Sequence, residues 1–150
     1  MKFCIGSDEA GAAPDAVIEA LRTRGHDVRL CGPLRGEQKG WADVAHEVAE
    51  AVASGEADQG VLFCWTGTGV SMTANKTSGI RAALCADAET ARGARAWNDA
   101  NVLCMSLRTT TPVLAREIVD AWLAAEVDPS ERGQIARIEE RRGSARPLTG

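Results

Sequence analysis

Short apolar runs, each of the length of a buried β-strand, recur along the chain between longer segments of mixed character. Runs of about four to eight apolar residues bounded by turn residues are typical of strands in a parallel sheet. We therefore predict five strands, at Lys2–Ile5, Asp27–Leu30, Gln59–Phe63, Arg81–Leu84 and Asn101–Met105.

The segments between these runs place apolar residues three or four positions apart, as at Val17 and Leu21 or at Val44 and Val48. Such spacing gives a helix one apolar face. It predicts helices at Ala13–Arg24, Trp41–Ser54, Val70–Thr77, Ala88–Trp97 and Thr111–Ala124. After Ala125 the chain becomes charged, which predicts a short helix followed by a frayed tail.

The alternation of strands and helices indicates the α/β class, with a five-stranded parallel sheet between two layers of helices and right-handed crossovers. In such sheets ligands bind beyond the carboxyl ends of the strands. Three turns follow predicted strand ends, at Gly6–Gly11, Cys64–Gly69 and Cys85–Asp87, and we expect them to face one crevice. At 150 residues the chain fits a single domain, with residues 126–150 as a C-terminal helical arm or tail.

The charge balance favours a small-molecule ligand. The chain has 17 Lys and Arg residues against 21 Asp and Glu residues, for a net charge of -4, and its basic residues are scattered. We therefore expect neither a nucleic-acid partner nor binding to an acidic membrane. Five cysteines without a CxxC pair are typical of a reducing cytoplasm, and we predict no signal peptide and no membrane span.

The turn after Cys64 carries the clearest sign of chemistry. Cys64 ends an apolar run, and Gly67 and Gly69 then let the backbone turn tightly into a predicted helix. Backbone N–H groups at the start of a helix lower the pKa of a nearby thiol and can hold a negatively charged oxygen. A reactive thiolate is one interpretation, and a buried cysteine at the end of a core strand is the other.

The remaining motifs predict no cofactor and no metal ion. Gly67–Met72 begins like a dinucleotide fingerprint but lacks the third glycine. The chain has no Walker sequence, and His26 and His46 have no second ligand at metal-binding spacing.

Polar side chains near other strand ends are further candidates. Asp8 and Glu9 follow the first strand, where Asp8 can transfer protons or cap the next helix. Asn98 precedes the fifth strand and can reach the crevice. Arg108, after that strand, and Arg137, in the tail, can bind an anion through two parallel hydrogen bonds or can be solvated surface residues.

Five segments occur in order at Gly6–Gly11, Cys64–Gly69, Ala74–Lys76, Gly79–Leu84 and Asn98–Asn101. Together they resemble the ribose-5-phosphate isomerase B and galactose-6-phosphate isomerase family, from about residue 2 to about residue 140. The resemblance implies a Rossmann-like α/β/α fold and aldose–ketose isomerase activity without a cofactor. It also implies homodimers, or pairs of dimers, whose sites draw residues from both subunits.

The resemblance further implies a role for each matching residue. Cys64 would be the base that moves a proton between C1 and C2 of the sugar through a cis-enediolate. Asp8 and Thr66 would contact substrate hydroxyls and assist ring opening. The backbone N–H groups holding the developing oxyanion would be those of Gly67, Thr68, Gly69 and Val70.

Three matches concern substrate binding outside that turn. Asn98 corresponds to a substrate-binding asparagine of the family, and Arg108 corresponds to a phosphate-binding arginine. Arg137 is the tail residue that best matches the family's other phosphate arginines.

The sequence also departs from the family pattern. Glu9 and Trp97 are both predicted substrate-binding residues, and both stand where the family has a histidine. In the family, the histidine at the position of Trp97 is associated with opening the furanose ring. Trp65 replaces a glycine, and Trp41 lies where the family usually has Asp-Tyr-Pro. These changes shrink the pocket and weaken phosphate recognition, while the thiol and the oxyanion turn remain.

Several substrates are therefore open. Ribose 5-phosphate with ribulose 5-phosphate is the family default. A tetrulose 4-phosphate, which cannot close a furanose ring, is one alternative, and an unphosphorylated sugar bound through Glu9 is another. A non-catalytic sugar-binding protein on the same fold is a hypothesis of a different class, and a thiol-redox role for Cys64 lacks a resolving cysteine nearby in the sequence.

Overall fold

The computed structural model describes residues 1–140, the side chain of the last of these excepted, and its centre is a five-stranded parallel sheet in the order β2-β1-β3-β5-β4. The strands are β1 (Lys2–Ser7), β2 (Asp27–Cys31), β3 (Gln59–Cys64), β4 (Ala82–Leu84) and β5 (Val102–Ser106). The helices are α1 (Ala12–Thr23), α2 (Trp41–Ala53), α3 (Thr68–Ala74), α4 (Ala88–Asn98), α5 (Pro112–Ala124) and α6 (Arg132–Glu140). The predicted strands, helices and α/β class are confirmed.

The apolar runs are continuous because both faces of the sheet are covered by helices. Alternate residues of a strand point to opposite faces. Ile5, Phe63 and Leu103 accordingly belong to a core shared with α1, α4 and α5. Cys4 and Leu62 belong to a second core, which includes residues of α2 and α3.

Helix α2 packs unusually close to the sheet, and a glycine makes this possible. A Cβ atom at Gly6 would lie 2.4 Å from Cγ1 of Val44 and 2.9 Å from Cγ2 of Val48. Because side chains cannot approach so closely, any larger residue at position 6 would push α2 away from β1.

Two asparagines hold the short edge strand β4 in place. The side-chain amide of Asn75 donates to the Ala82 carbonyl at 2.9 Å and accepts from the Ala82 N–H at 2.8 Å. Asn101 makes the corresponding pair of bonds to the Gly79 carbonyl and the Arg81 N–H, both at 2.8 Å. Two of the five segments that resemble the family, Ala74–Lys76 and Asn98–Asn101, therefore have a structural role.

The charged region after residue 125 contains the predicted short helix, α6. Its Glu139 pairs with Arg81 at 3.6 Å, which ties α6 to the sheet edge. The predicted frayed tail, which includes Arg141 and Arg142, lies outside the described residues. Among the helices that the structure describes, none has the length and apolar character needed to cross a membrane.

Candidate active site at the carboxyl ends of the strands

The strand order brings two of the candidate residues to neighbouring strand ends. The chain runs from β1 outward to β2 and then returns past β1 to β3, so the direction of winding reverses between β1 and β3. Ser7 and Phe63 form the last pair between β1 and β3, and Asp8 and Cys64 follow them directly in the chain. Ligands of open α/β sheets bind at such a reversal, beyond the carboxyl ends of the strands.

The turn after Cys64 is held by hydrogen bonds to the segment that follows β5. The carbonyl of Cys64 accepts from the Leu107 N–H at 2.9 Å. The carbonyl of Trp65 accepts from the Arg108 N–H at 3.0 Å and from Oγ of Ser106 at 2.8 Å. These three bonds fix the position of the turn relative to Arg108.

Gly67 is required where the turn enters α3. Its φ of 75° lies in the left-handed region, and a Cβ there would come within 2.6 Å of the Leu84 side chain and 2.9 Å of the Met105 carbonyl carbon. The first helical bond of α3 runs from the Ser71 N–H to the Gly67 carbonyl at 3.3 Å. The N–H groups of Thr68, Gly69 and Val70 therefore have no helical acceptor, as in the first turn of any helix.

Cys64 is buried in the core that the sheet shares with α2 and α3, and its neighbours line a small cavity. It is 5% exposed in the single chain. Its register partner in β5 is Ser106. Ser106, Thr66, Cys85 and Arg108 all contribute to the lining of a cavity of about 180 Å³. Cys64 itself is not among the residues that line this cavity, whereas its chain neighbour Thr66 is, and Oγ1 of Thr66 is 2.7 Å from Oγ1 of Thr68.

Asp8 lines a separate and larger cavity, of about 600 Å³, together with Glu37, Lys39 and Gly40. The carboxylate does not cap α1, whose N-cap is Gly11 and receives no side-chain hydrogen bond. Oδ1 of Asp8 is buried and has no hydrogen-bond partner among the described residues. Burial, with a smaller contribution from the negative charge of Glu9, raises the pKa of Asp8 above its ordinary value.

The expectation that three turns share one crevice is therefore only partly met. Thr66 and Cys85 line the same cavity, whereas Asp8 faces its own. The reason is the 3₁₀ turn at Gly32–Arg35 and the segment that follows it, which wall the Asp8 cavity. Glu9, next in the chain, is exposed, and its backbone bonds to Oγ of Ser7.

The other predicted substrate-binding residues lie elsewhere in the single chain. Trp97 and Asn98 line a cavity of about 440 Å³ beside β4 and α4. Arg137 is an exposed residue of α6, and the next residue, Ile138, lines a cavity of about 660 Å³ that also includes Asn98. One chain therefore brings Thr66 and Arg108 together, with Cys64 and Asp8 close by, but keeps Asn98 and Arg137 apart from them.

Comparison with known proteins shows the family of the chain. A profile of the ribose/galactose isomerase family matches residues 3–140. The chain belongs to this family. Ribose-5-phosphate isomerase B of Escherichia coli (strain K12) is 39% identical over 146 residues, covering 94% of this chain and 98% of that protein. D-erythrulose-4-phosphate isomerase of Pectobacterium atrosepticum is 44% identical over 141 residues, covering 93% of this chain and 91% of that protein.

A solved structure of the same family supports the fold. Ribose-5-phosphate isomerase B of Clostridium thermocellum superposes with a TM-score of 0.87 at 41% identity, covering 93% of this chain and 96% of that chain. The predicted family resemblance and Rossmann-like architecture are confirmed, and this member of the ribose/galactose isomerase family is an aldose–ketose isomerase.

Two residues near the candidate site were not predicted from the sequence. Ser106 stands opposite Cys64 and bonds the turn, and Lys39 lines the Asp8 cavity. Ser106 directly follows the predicted strand Asn101–Met105, so a known strand order would have placed it near Cys64. The sequence around Lys39 does not indicate a place near Asp8, because the position of Lys39 depends on how the loop between β2 and α2 folds back.

Proposed function

We propose that the chain interconverts the aldose and ketose forms of a phosphorylated sugar, with Cys64 as the base. The thiolate would take a proton from the carbon that bears the hydroxyl and return it to the neighbouring carbonyl carbon, through a cis-enediolate. The proposal rests chiefly on the position of Cys64 and Asp8 at adjacent strand ends where the winding of the sheet reverses.

The surroundings of Cys64 supply the other groups that this reaction needs. The N–H groups of the first turn of α3, from Gly67 to Val70, are donors for the enediolate oxygen. The unpartnered Oδ1 of Asp8 is an acceptor for a substrate hydroxyl. Arg108 is exposed on the wall of the neighbouring cavity, where its guanidinium can bind phosphate.

A second copy of the chain would complete the site. Asn98 and Arg137 lie away from Cys64 in one chain, and large apolar side chains near the turn are exposed: Trp65 by 61%, Met72 by 64% and Trp41 by 46%. Exposed apolar surface of this kind marks an interaction site. We infer a homodimer, or a pair of dimers, in the cytoplasm, whose sites combine Cys64 of one subunit with Asn98 of the other.

Replacing Cys64 by Ala tests the catalytic role. We expect kcat/KM to fall by about 10³-fold or more, because the only group proposed to move the carbon-bound proton is gone. Exchange of deuterium from the solvent into the sugar should fall in parallel. Cys104→Ala is the matched control, since it removes a similarly buried sulfur from the neighbouring strand and the same core. Equal turnover in the two variants would refute the assignment.

A four-carbon ketose phosphate is the substrate that Trp97 favours. The indole has no group that transfers protons near neutral pH, and it occupies the position of the histidine associated with ring opening. A tetrulose 4-phosphate has no free hydroxyl with which to close a furanose, so it needs no ring opening. The similarity to a D-erythrulose-4-phosphate isomerase agrees with this substrate.

A substrate screen separates the candidates. Tetrose, pentose and hexose phosphates should be compared with their free sugars, with kcat/KM as the measurement. We expect the four-carbon phosphate to exceed ribose 5-phosphate by at least about 10-fold, the scale on which pocket contacts discriminate substrates. A preference for ribose 5-phosphate would overturn the argument from Trp97, and a preference for a free sugar would overturn the phosphate role of Arg108. Deuterium exchange into none of them would point to a sugar-binding protein without activity.

A further inference from the structure

Two buried thiols that the proposed isomerase reaction does not use lie in contact between β1 and β2. Cys4 and Cys31 are both 0% exposed, and their Sγ atoms are 3.1 Å apart. In the register of the two strands Cys4 is opposite Arg29, and Cys31 lies two residues further along β2. Residues two apart share a face of the sheet, so both thiols point to the α2 side, and the sulfurs need to approach by only about 1 Å to bond.

Charged groups around the pair distinguish the two sulfurs. The hydrogen bond from Cys31 lowers the pKa of Cys4, and the positive charges of Arg29 and Arg35 act in the same direction, against the effect of burial. The hydrogen bond with Cys4 raises the pKa of Cys31, and burial adds to this. The pKa of Cys4 is therefore the lower of the two, and Cys31 is the thiol that keeps its proton.

A carboxylate lies beside the protonated thiol. The Glu47 carboxylate raises the pKa of the Cys31 thiol, and the Glu47 side chain is 18% exposed. It also pairs with Lys39 at 2.6 Å and with Arg29 at 3.2 Å. Glu47 also lines a surface cavity of about 360 Å³ together with Arg29, Glu50 and Glu56.

We propose that Cys4 and Cys31 form a dithiol site that a hydroperoxide oxidises to a disulfide and that a small dithiol reduces again. Cys4 attacks one peroxide oxygen, the O–O bond breaks, and the leaving oxygen takes up a proton to become water, or an alcohol from an organic hydroperoxide. The resulting sulfenic acid is attacked by Cys31, whose proton passes through Glu47 to the departing hydroxyl. Two thiols and hydrogen peroxide thus give one disulfide and two water molecules.

Two other buried cysteines lack this arrangement. Burial, with a contribution from Asp87, raises the pKa of Cys85 to about 12. Burial likewise raises the pKa of Cys104. Both thiols stay protonated, and protonated thiols are poor nucleophiles. They are internal references for the reactivity of the proposed site.

Oxidation of the native protein tests the proposal directly. The protein would be treated with hydrogen peroxide, unfolded in an alkylating reagent, and digested for peptide mapping. We expect a linked pair of peptides containing Cys4 and Cys31, with a mass about 2 Da below that of the two free thiols, and the link should disappear after dithiothreitol. Cys85 and Cys104 should remain free thiols. Recovery of Cys4 and Cys31 as free thiols, or as unlinked sulfinic acids, would overturn the proposal.

Variants test the order of events and the proton transfer. Cys31→Ser should leave Cys4 as a sulfenic acid that a dimedone reagent traps, and the absence of such a product would contradict the attack by Cys4. Glu47→Gln should slow formation of the linked pair by roughly 10-fold. Glu50→Gln is the matched control, because Glu50 lines the same cavity. Equal rates in the two glutamine variants would overturn the role of Glu47. The Cys64→Ser variant should still form the link, which keeps this test independent of the proposed isomerase function.

Discussion

At the scale of single residues, surroundings decide what a side chain can do. Asp8 had two interpretations in the sequence, a helix cap or a group that handles protons. The structure removes the first, since Gly11 is the N-cap of α1. A carboxylate with a buried, unpartnered oxygen destabilises the folded chain unless a ligand supplies a donor, which is typical of a binding site.

The titration of Asp8 gives a testable prediction at this scale. Because the pKa of Asp8 is raised in the folded protein, the ionised carboxylate is disfavoured there, and this cost is present at pH 7. As the pH falls through the raised pKa, the wild type takes up the proton and the cost disappears. We therefore expect Asp8→Asn to be more stable than the wild type at pH 7, and the difference to vanish below about pH 4.

Urea unfolding of the free protein across this pH range provides the measurement. Asp15→Asn is the control, since Asp15 lies in the first turn of α1, away from the Asp8 cavity. A stability gain that is independent of pH would contradict the assigned cause.

At the scale of elements, the turn between β3 and α3 depends on one glycine for two reasons. Gly67 has a left-handed backbone, and the space for a side chain is already filled by Leu84 and the backbone of Met105. The left-handed backbone would favour glycine in any turn of this shape, whereas the lack of space for a side chain is specific to the packing around Gly67. The proposed oxyanion donors are the N–H groups of Gly67 and of the residues that follow it in the chain, so a distortion of the turn would move them.

A pair of substitutions separates the two reasons. Gly67→Ala should cost about 3 kcal/mol or more, because backbone strain and overpacking add. Gly79→Ala should cost only about 1–2 kcal/mol, because that residue has a φ of 81° but no atom within 4 Å of the added Cβ. Denaturant unfolding measures both. Equal losses would show that the neighbouring atoms move aside without cost.

At the scale of the whole molecule, the candidate residues fall on two sides of a single chain. Cys64, Asp8 and Arg108 lie around the ends of β1, β3 and β5, while Asn98 is the last residue of α4 and lines a cavity with residues of β4. The proposed second subunit accounts for this separation, because residues that are distant within one chain can meet across an interface.

Complementation between inactive variants tests the shared site. Cys64→Ala and Asn98→Ala should each be inactive alone. Refolded together as an equal mixture, half of the dimers contain one chain of each kind, and each such dimer holds one intact site. Activity should therefore return to about a quarter of the wild-type value. If both residues served a site within one chain, mixing would restore nothing, and sedimentation analysis would show whether mixed dimers had formed.

Much of the fold followed from local pattern. The alternation of apolar runs and helical spacing located each strand and the five main helices within residues 1–140, since these elements depend on which residues of a short segment can be buried together. Family-like segments such as Cys64–Gly69 pointed to the isomerase family, because the glycine turn is itself a local feature.

What local pattern could not determine was which strand ends become neighbours. The order β2-β1-β3-β5-β4 sets Asp8 beside Cys64 and Ser106 opposite it, and it moves Asn98 away. The contact between Cys4 and Cys31 likewise depends on strand register. The chain by itself determined its elements and its chemistry-bearing turn, while the tertiary structure decided their grouping, because strand order and register are set by packing between residues far apart in sequence.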